Sequence, residues 1–384
     1  MLKKRILIFY DHFYPAWKAG GPVQSLVNLV RQLNNEYSFY IVCKPHEMNS
    51  DERLTNISIN QWTNWEGKAE VFYSSYGLGA TYYQQVTKIL NDVKPDVLFV
   101  NGLFSPYFNL VPLSCGFSYA KKHPACKIVW SARGMLHPGA LSQKPFKKRL
   151  FLRVIQLLNW HKKVHWHVTD EQECRYVSDT FGNNMQVTVA GNFPNLLSKA
   201  ETEQKQEGIL KLGTIALISP MKNHLLVLQS LQRISASIEW HIFGPVKDEI
   251  YWRACEEEIV KLPEKTAVVY HGECVPADLP EAMKKFQVFI MPSKSENFGH
   301  AILEALSAGK PVITTNTTPF KNLQSYKAGY TVSPDRTDEL AAAIVFFAGM
   351  KEEEFHLYSS NAVSFAAGFS NLSAVQNQYR HLFN

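Results

Sequence analysis

The chain has 384 residues, 46% of them hydrophobic and 19% charged, with no low-complexity run, so disorder is excluded and two compact domains are expected. Net charge is +6 but divides unevenly: residues 1–199 hold 23 Lys and Arg against 13 Asp and Glu, and the remainder holds 17 against 21. No apolar run approaches the roughly 20 residues of a membrane span or the pattern of a signal peptide, and six scattered cysteines without a CxxC pair fit free thiols in a reducing cytosol.

Short β-like runs at 5–10, 39–43, 97–101, 127–131, 164–169 and 186–190 alternate with helical patterns, as in parallel sheets with crossover helices. After the first run, Gly20 and Gly21 precede Pro22. Proline suits the first turn of a helix and glycines let backbone approach a ligand, so this is either a binding loop or a plain tight turn. The segment 144–163, KPFKKRLFLRVIQLLNWHKK, sets Leu150, Val154, Leu157 and Leu158 at helical spacing beside Lys147, Lys148, Arg149 and Arg153. It fits a basic helix lying on an anionic membrane surface, or equally a core-packing helix with a solvated basic face. His161, His165 and His167 lack a nearby Cys, and strand alternation separates the last two from Trp166, which argues against zinc. Thr169, Asp170 and Glu173 have the pattern of a helix N-cap with an acidic first turn.

The polar stretch 195–211 reads as an interdomain linker, after which runs at 214–219, 239–243, 267–270, 288–291 and 311–315 restart the alternation. Both halves are expected to be doubly wound, with ligands at the C-terminal ends of strands near a topological switch point. The expected divisions are an N-terminal domain 1–194, the linker 195–211, a C-terminal domain 212–368, and a helix in 369–384 packing back on the first domain.

The densest chemistry lies in 291–320, MPSKSENFGHAILEALSAGKPVITTNTTPF. Asn297, Phe298, Gly299 and His300 stand at the mouth of a helix over 301–308, which Gly309 closes. Backbone N–H groups at Gly299 and His300, together with the helix dipole, suit a diphosphate. Glu296 and Glu304 fall about 12 Å apart at 1.5 Å per residue. That is too far for a glycosidase dyad. Two such carboxylates can grip a sugar at one end and a ribose at the other; the plain alternative makes Glu304 an exposed helix residue and Glu296 a cap neighbour.

This stretch, with Glu, seven residues, Glu and an internal Phe-Gly, resembles the donor-site motif of family 4 retaining glycosyltransferases of the GT-B fold. AGGPVQSLVNLV (19–30) is similar to that family's glycine loop, WSARGML (130–136) to the loop after its fourth or fifth strand, and ISPMKN (218–223) to its phosphate-binding segment. The resemblance implies an α/β GT-B fold, two Rossmann-like domains facing across a cleft. It implies that Glu296 contacts the donor sugar, that Glu304 binds the ribose, and that Lys222 neutralises the diphosphate as the bond to the sugar breaks. Two positions depart from the family. Leu217 stands where an Arg usually completes the phosphate clamp, with Lys294 a candidate substitute, and Arg133 stands where a catalytic-site His is common, with His137 four residues on.

The expected function is a metal-independent retaining hexosyltransferase without a cofactor, using a UDP- or GDP-sugar as donor substrate. Its expected acceptor is a lipid-linked glycan of surface polysaccharide, O-antigen or capsule. No nucleic acid is expected as a partner. The expected location is the cytoplasm, at the inner face of the membrane. A non-catalytic nucleotide-sugar-binding subunit and a GT-B sugar-nucleotide epimerase are the alternatives.

Overall fold

The computed structural model describes residues 3–77, 79–142, 144–201 and 203–384. Its chain forms two units, one of residues up to Phe193 together with Leu372–Asn384, the other Pro194–Asn371.

In the first unit the strands are β1 (Lys4–Phe9), β2 (Tyr37–Cys43), β3 (Trp62–Trp65), β4 (Ala69–Tyr73), β5 (Val97–Asn101), β6 (Lys127–Ser131), β7 (His165–Val168) and β8 (Val187–Val189). Its helices are α1 (Gly21–Leu33), α2 (Ala80–Val93), α3 (Val111–Lys122), α4 (Pro138–Leu141), α5 (Pro145–Leu157) and α6 (Glu171–Phe181). Among the described residues these strands form one sheet in the order β3-β4-β2-β1-β5-β6-β7-β8, parallel except for β3 against β4. Strand period two explains the two-sided core: Ile6 and Ile8 face one apolar cluster, Leu7 and Phe9 the other.

The second unit has β9 (Ile209–Ile215), β10 (Ser237–Phe243), β11 (Thr266–Tyr270), β12 (Val288–Met291), β13 (Val312–Thr315) and β14 (Gly329–Val332). Its helices are α7 (His224–Leu231), α8 (Glu249–Ile259), α9 (Leu279–Lys284), α10 (His300–Ser307), α11 (Thr337–Ala348) and α12 (Glu352–Phe369). The sheet order is β11-β10-β9-β12-β13-β14, all parallel. Val288 and Ile290 pack to one side, Phe289 and Met291 to the other.

A final helix, α13 (Leu372–Phe383), completes the first unit. Tyr379, Leu382 and Phe383 are buried in the cluster that holds Ile6, Ile8, Phe99 and Phe193. Arg380 grips the Glu36 carboxylate with two hydrogen bonds of 2.8 and 2.6 Å, and Lys127 Nζ donates to the Leu382 carbonyl at 2.8 Å. Among the described residues no helix is long and apolar enough to cross a membrane.

Three strands carry weak sequence signals. β3 is an antiparallel edge of four residues containing Thr and Asn, β4 holds a Glu at its second position, and β14 opens on Gly. The stretch read as a linker is fastened to the second unit instead. Leu197 N–H donates to Ser307 Oγ and Ala200 N–H to the Ala308 carbonyl, and β9 begins at Ile209, inside the stretch; Thr202 lies outside the described residues. Backbone groups make most of this attachment, so a polar composition conceals it.

Candidate functional site

In the second unit the chain reverses direction across the sheet between β9 and β12, so the loops that leave these adjacent strands lie side by side at their C-terminal ends, the place where sheets of this kind bind ligands. The β9–α7 loop carries Lys222, and the β12–α10 loop carries Glu296. The Lys294 N–H donates to the Met221 carbonyl at 2.9 Å, tying one loop to the other. Lys222 Nζ then lies 2.5 Å from Glu296 Oε1, a charge-assisted contact between two half-buried side chains.

Each loop is held from below. Asn223 adopts a left-handed conformation, φ 62°, just before α7, and its Nδ2 donates to the Pro334 carbonyl at 2.9 Å. His224 is buried at the start of α7, where burial and then the Lys222 charge lower its pKa to about 4, so it is neutral at pH 7. On the other loop, the Ser293 carbonyl accepts from the hydroxyls of Thr315, at 2.5 Å, and Thr317, at 2.9 Å. Ser293 itself is fully buried.

Gly299 takes φ 75° immediately before α10. A Cβ there meets the Phe320 ring at 2.9 Å, and a left-handed residue other than glycine costs about 1–2 kcal/mol, so glycine is what lets the loop turn into the helix. Asn297 is exposed, Phe298 and His300 are half-buried, and their two rings lie 4.5 Å apart at the mouth of α10. Gly309 follows the helix at φ 77°.

Glu304 is not the exposed helix residue of the plain reading. It is buried on α10, and its Oε1 accepts from Asn195 Nδ2 at 2.9 Å. Burial raises its pKa to about 7, and the Asn195 contact works weakly the other way. Leu217, where the sequence resemblance leads one to expect a second cation, is half-buried, while the Lys294 side chain is exposed.

The first unit has its own switch point, between β1 and β5. The loop from β1 passes Asp11, which takes Lys44 at 2.5 Å and Ser105 Oγ at 3.0 Å, and ends at Gly20 and Gly21. Gly20 has φ 72° and ψ −138°, a glycine conformation, and α1 starts at Gly21 with Pro22 in its first turn. The Glu47 carboxylate accepts from Trp17 N–H at 2.6 Å and from Lys18 N–H at 3.1 Å, which sets the approach to the glycines.

Arg133, after β6, is in a left-handed conformation, φ 49°. Its Nε donates to Asn101 Oδ1 at 2.6 Å and its Nη1 to Asn192 Oδ1 at 2.7 Å. Glu173 supports the same loop by accepting from Gly134 N–H while it also accepts from Thr169 N–H at 2.6 Å, and Asp170 caps α6 by accepting from Glu173 N–H at 2.7 Å. His137 is the cap of α4, its Nδ1 accepting from Gly139 N–H at 3.0 Å. The histidine cluster separates into three settings. His161 stacks on Phe181 at 5.3 Å, His165 bonds Thr188 at 2.6 Å, and His167 sits between Ser131 and the Ala190 carbonyl. Burial lowers the pKa of His165 to about 4 and that of His167 well below the ordinary value.

Lys222, Glu296, Asn297, Phe298, Gly299, His300 and Glu304 thus belong to one unit, and Gly20, Gly21 and Arg133 to the other. Sequence reasoning passed over Asn101, Asn192 and Asn195, the amides that position Arg133 and Glu304. The first closes a buried strand, a place where an amide has reason to point at a neighbouring loop.

Residues 206–348, which include Lys222, Glu296 and Glu304, match the family model described as glycosyl transferases group 1. The O-antigen chain mannosyltransferase B of Escherichia coli is 28% identical over 139 residues, covering 34% of this chain and 35% of that protein. The first curated relatives are matched over little more than a third of their own length. Among solved structures, Anabaena HepE in complex with UDP and glucose aligns over 99% of both chains with a TM-score of 0.71 at 16% identity. The sucrose-phosphate synthase of Thermosynechococcus elongatus aligns over 99% of both with a TM-score of 0.73 at 14% identity. The chain therefore has the GT-B fold, and its residues 206–348 match the glycosyl transferases group 1.

Proposed function

We propose that this chain is a retaining hexosyltransferase that takes a sugar from a UDP- or GDP-sugar and passes it to a glycan acceptor. The observation that carries the reading is the Lys222–Glu296 pair at the switch point of the second unit, on the loop that leads into α10. In this reading the arriving diphosphate takes the Lys222 ammonium and the N-terminus of α10, which releases the Glu296 carboxylate to accept from sugar hydroxyls. Charge growing on the leaving diphosphate then meets a cation already in place, so little reorganisation is needed as the bond breaks. Glu304 accepts from the ribose hydroxyls, and Asn297, Phe298, Gly299 and His300 border the sugar. Neither a metal nor a cofactor takes part.

Acceptor handling is assigned to the first unit, through the Gly20–Gly21 loop and Arg133. The acceptor is a lipid-linked glycan of surface polysaccharide, met on the cytoplasmic side. Support comes from the E. coli relative, whose name places it in O-antigen synthesis, and from HepE, solved with UDP and glucose. Leu217 favours a second reading, a non-catalytic subunit that binds the nucleotide sugar without turning it over.

A thermal-shift series with UDP, GDP, ADP and CMP in EDTA tests the donor site. One diphosphate, at 100 times its Kd, is expected to stabilise the protein by about 2.7 kcal/mol, a rise of about 5–10 °C in the melting of the second unit. The matching nucleotide sugar should then be consumed, in EDTA, when acceptor is added. No shift with any nucleotide sinks the site; a shift without turnover for any sugar selects the second reading.

A further inference from the structure

The helix α5 presents two apolar faces, and only one of them is used. Leu152 and Ile155 are 9% and 0% exposed and pack into the core of the first unit with Phe151. On the other side Phe146, Leu150, Val154, Leu157 and Leu158 are 80, 56, 41, 81 and 47% exposed. At 100° per residue the first four of these, spaced i, i+4, i+8 and i+11, fall within one quadrant of the helix, and the buried pair falls roughly opposite. The residues that look like a packing stripe in the sequence are therefore the outward stripe, and core packing leaves them unexplained.

The charges on this helix and at its two ends have one sign. Exposed Arg149 and Arg153 border it on one side and Lys147 lies on the other, while Lys144, Lys162 and Lys163 are exposed at the two ends of the segment. Lys148 turns inward, donating to the Ala140 carbonyl at 2.6 Å and lying over the Phe104 ring, and the Lys163 ammonium lies over the Phe117 ring. The sequence contains no Asp or Glu between Asp96 and Asp170, a stretch with eleven Lys and Arg. A protein partner of mixed charge does not call for so long an acid-free stretch. An anionic lipid surface does: side chains such as Phe146 and Leu157 enter the acyl boundary while the flanking cations lie at the headgroups.

We propose that α5 is a membrane-contact helix that seats the first unit on an anionic bilayer, with Phe146, Leu150, Val154 and Leu157 entering the interface and Lys147, Arg149 and Arg153 pairing with headgroups. The inference is independent of the donor site and stands or falls separately from it.

Co-sedimentation of the full chain with vesicles of phosphatidylglycerol and phosphatidylcholine, against phosphatidylcholine alone, is the test. Binding to the anionic vesicles that weakens with added salt is expected. Because each near-surface cation contributes about fivefold to partition, Arg149→Glu with Arg153→Glu should lower it at least tenfold. Leu150→Glu with Leu157→Glu should do the same, with melting temperature and nucleotide-induced shift unchanged in both variants. Failure of the wild-type chain to bind anionic vesicles at low salt overturns the proposal, as does wild-type binding by the variants. A chain that ignores vesicles but forms a concentration-dependent dimer, lost in the Leu150→Glu and Leu157→Glu variant, assigns the stripe to a second copy instead.

Discussion

Replacing Lys222 with Met is expected to slow sugar transfer about 10²–10³-fold, the usual loss when one fixed group that stabilises transition-state charge is removed. Methionine keeps most of the stem and deletes the charge. The loss should fall on kcat more than on KM, since the ammonium is already matched by Glu296 before the donor arrives and gains most as the leaving group becomes charged. Deleting one member of the pair also leaves a half-buried Glu296 without its counter-ion, at a cost of about 1 kcal/mol. Structure and chemistry are separated by the double variant, Lys222→Met with Glu296→Gln. It should regain the stability and none of the turnover. A double variant that recovers transfer would show that Lys222 acts only by restraining Glu296. Glu296→Ala alone is expected to abolish transfer with the fold intact, as a group that accepts from the sugar requires.

Glu304 yields a second large effect, this time in stability and with a sign set by pH. Burial raises its pKa from the ordinary 4.5 to about 7, so the folded chain binds this proton more tightly than the unfolded one. Folding stability from this group therefore falls as pH rises from about 4.5 to about 7, and the full penalty is present above that range. Glu304→Gln keeps an acceptor for the Asn195 amide and removes the buried charge. It should match the wild type near pH 4 and exceed it by about 2–3 kcal/mol near pH 8 in urea unfolding. Equal differences at both pH values would refute the account. In the same variant, stabilisation by a nucleoside diphosphate should shrink, because an amide cannot accept from two ribose hydroxyls as a carboxylate does. On the proposed function, the group lowers the stability of the protein in exchange for a contact with the donor ribose.

Much of this architecture could be read in advance because apolar runs of β1, β5 and β12 are buried on both faces and so stand out as continuous. The turn from Glu296 into α10 was legible for a different reason: a glycine before a helix has few other uses. The Asp170–Glu173 cap was equally plain. β3, β4 and β14 were not, since edge position removes the pressure for an apolar run. Nor could spacing show that Glu304 is buried, because the partner that covers it, Asn195, is 109 residues away in sequence. In α5 the pattern was visible and its orientation was not. Periodicity locates a stripe on a helix without saying which side faces in.

The return of α13 to the first unit has a consequence for the order of events at the ribosome. Tyr379, Leu382 and Phe383 fill the cluster around Ile6, Ile8 and Phe99, and each such burial is worth about 1.5–3 kcal/mol. Until α13 emerges, the part of that face that α1 does not cover stays open. The second unit, by contrast, is contiguous from Pro194 to Asn371 and can close while synthesis is still under way. At typical elongation rates the gap between Phe193 and Leu372 lasts roughly 10–35 s. Protease pulses on stalled nascent chains should find the second unit resistant and the first still cleavable. The unit that holds β1 to β8 is thus expected to close after the unit that follows it in sequence, with part of its apolar sheet face uncovered in the interval.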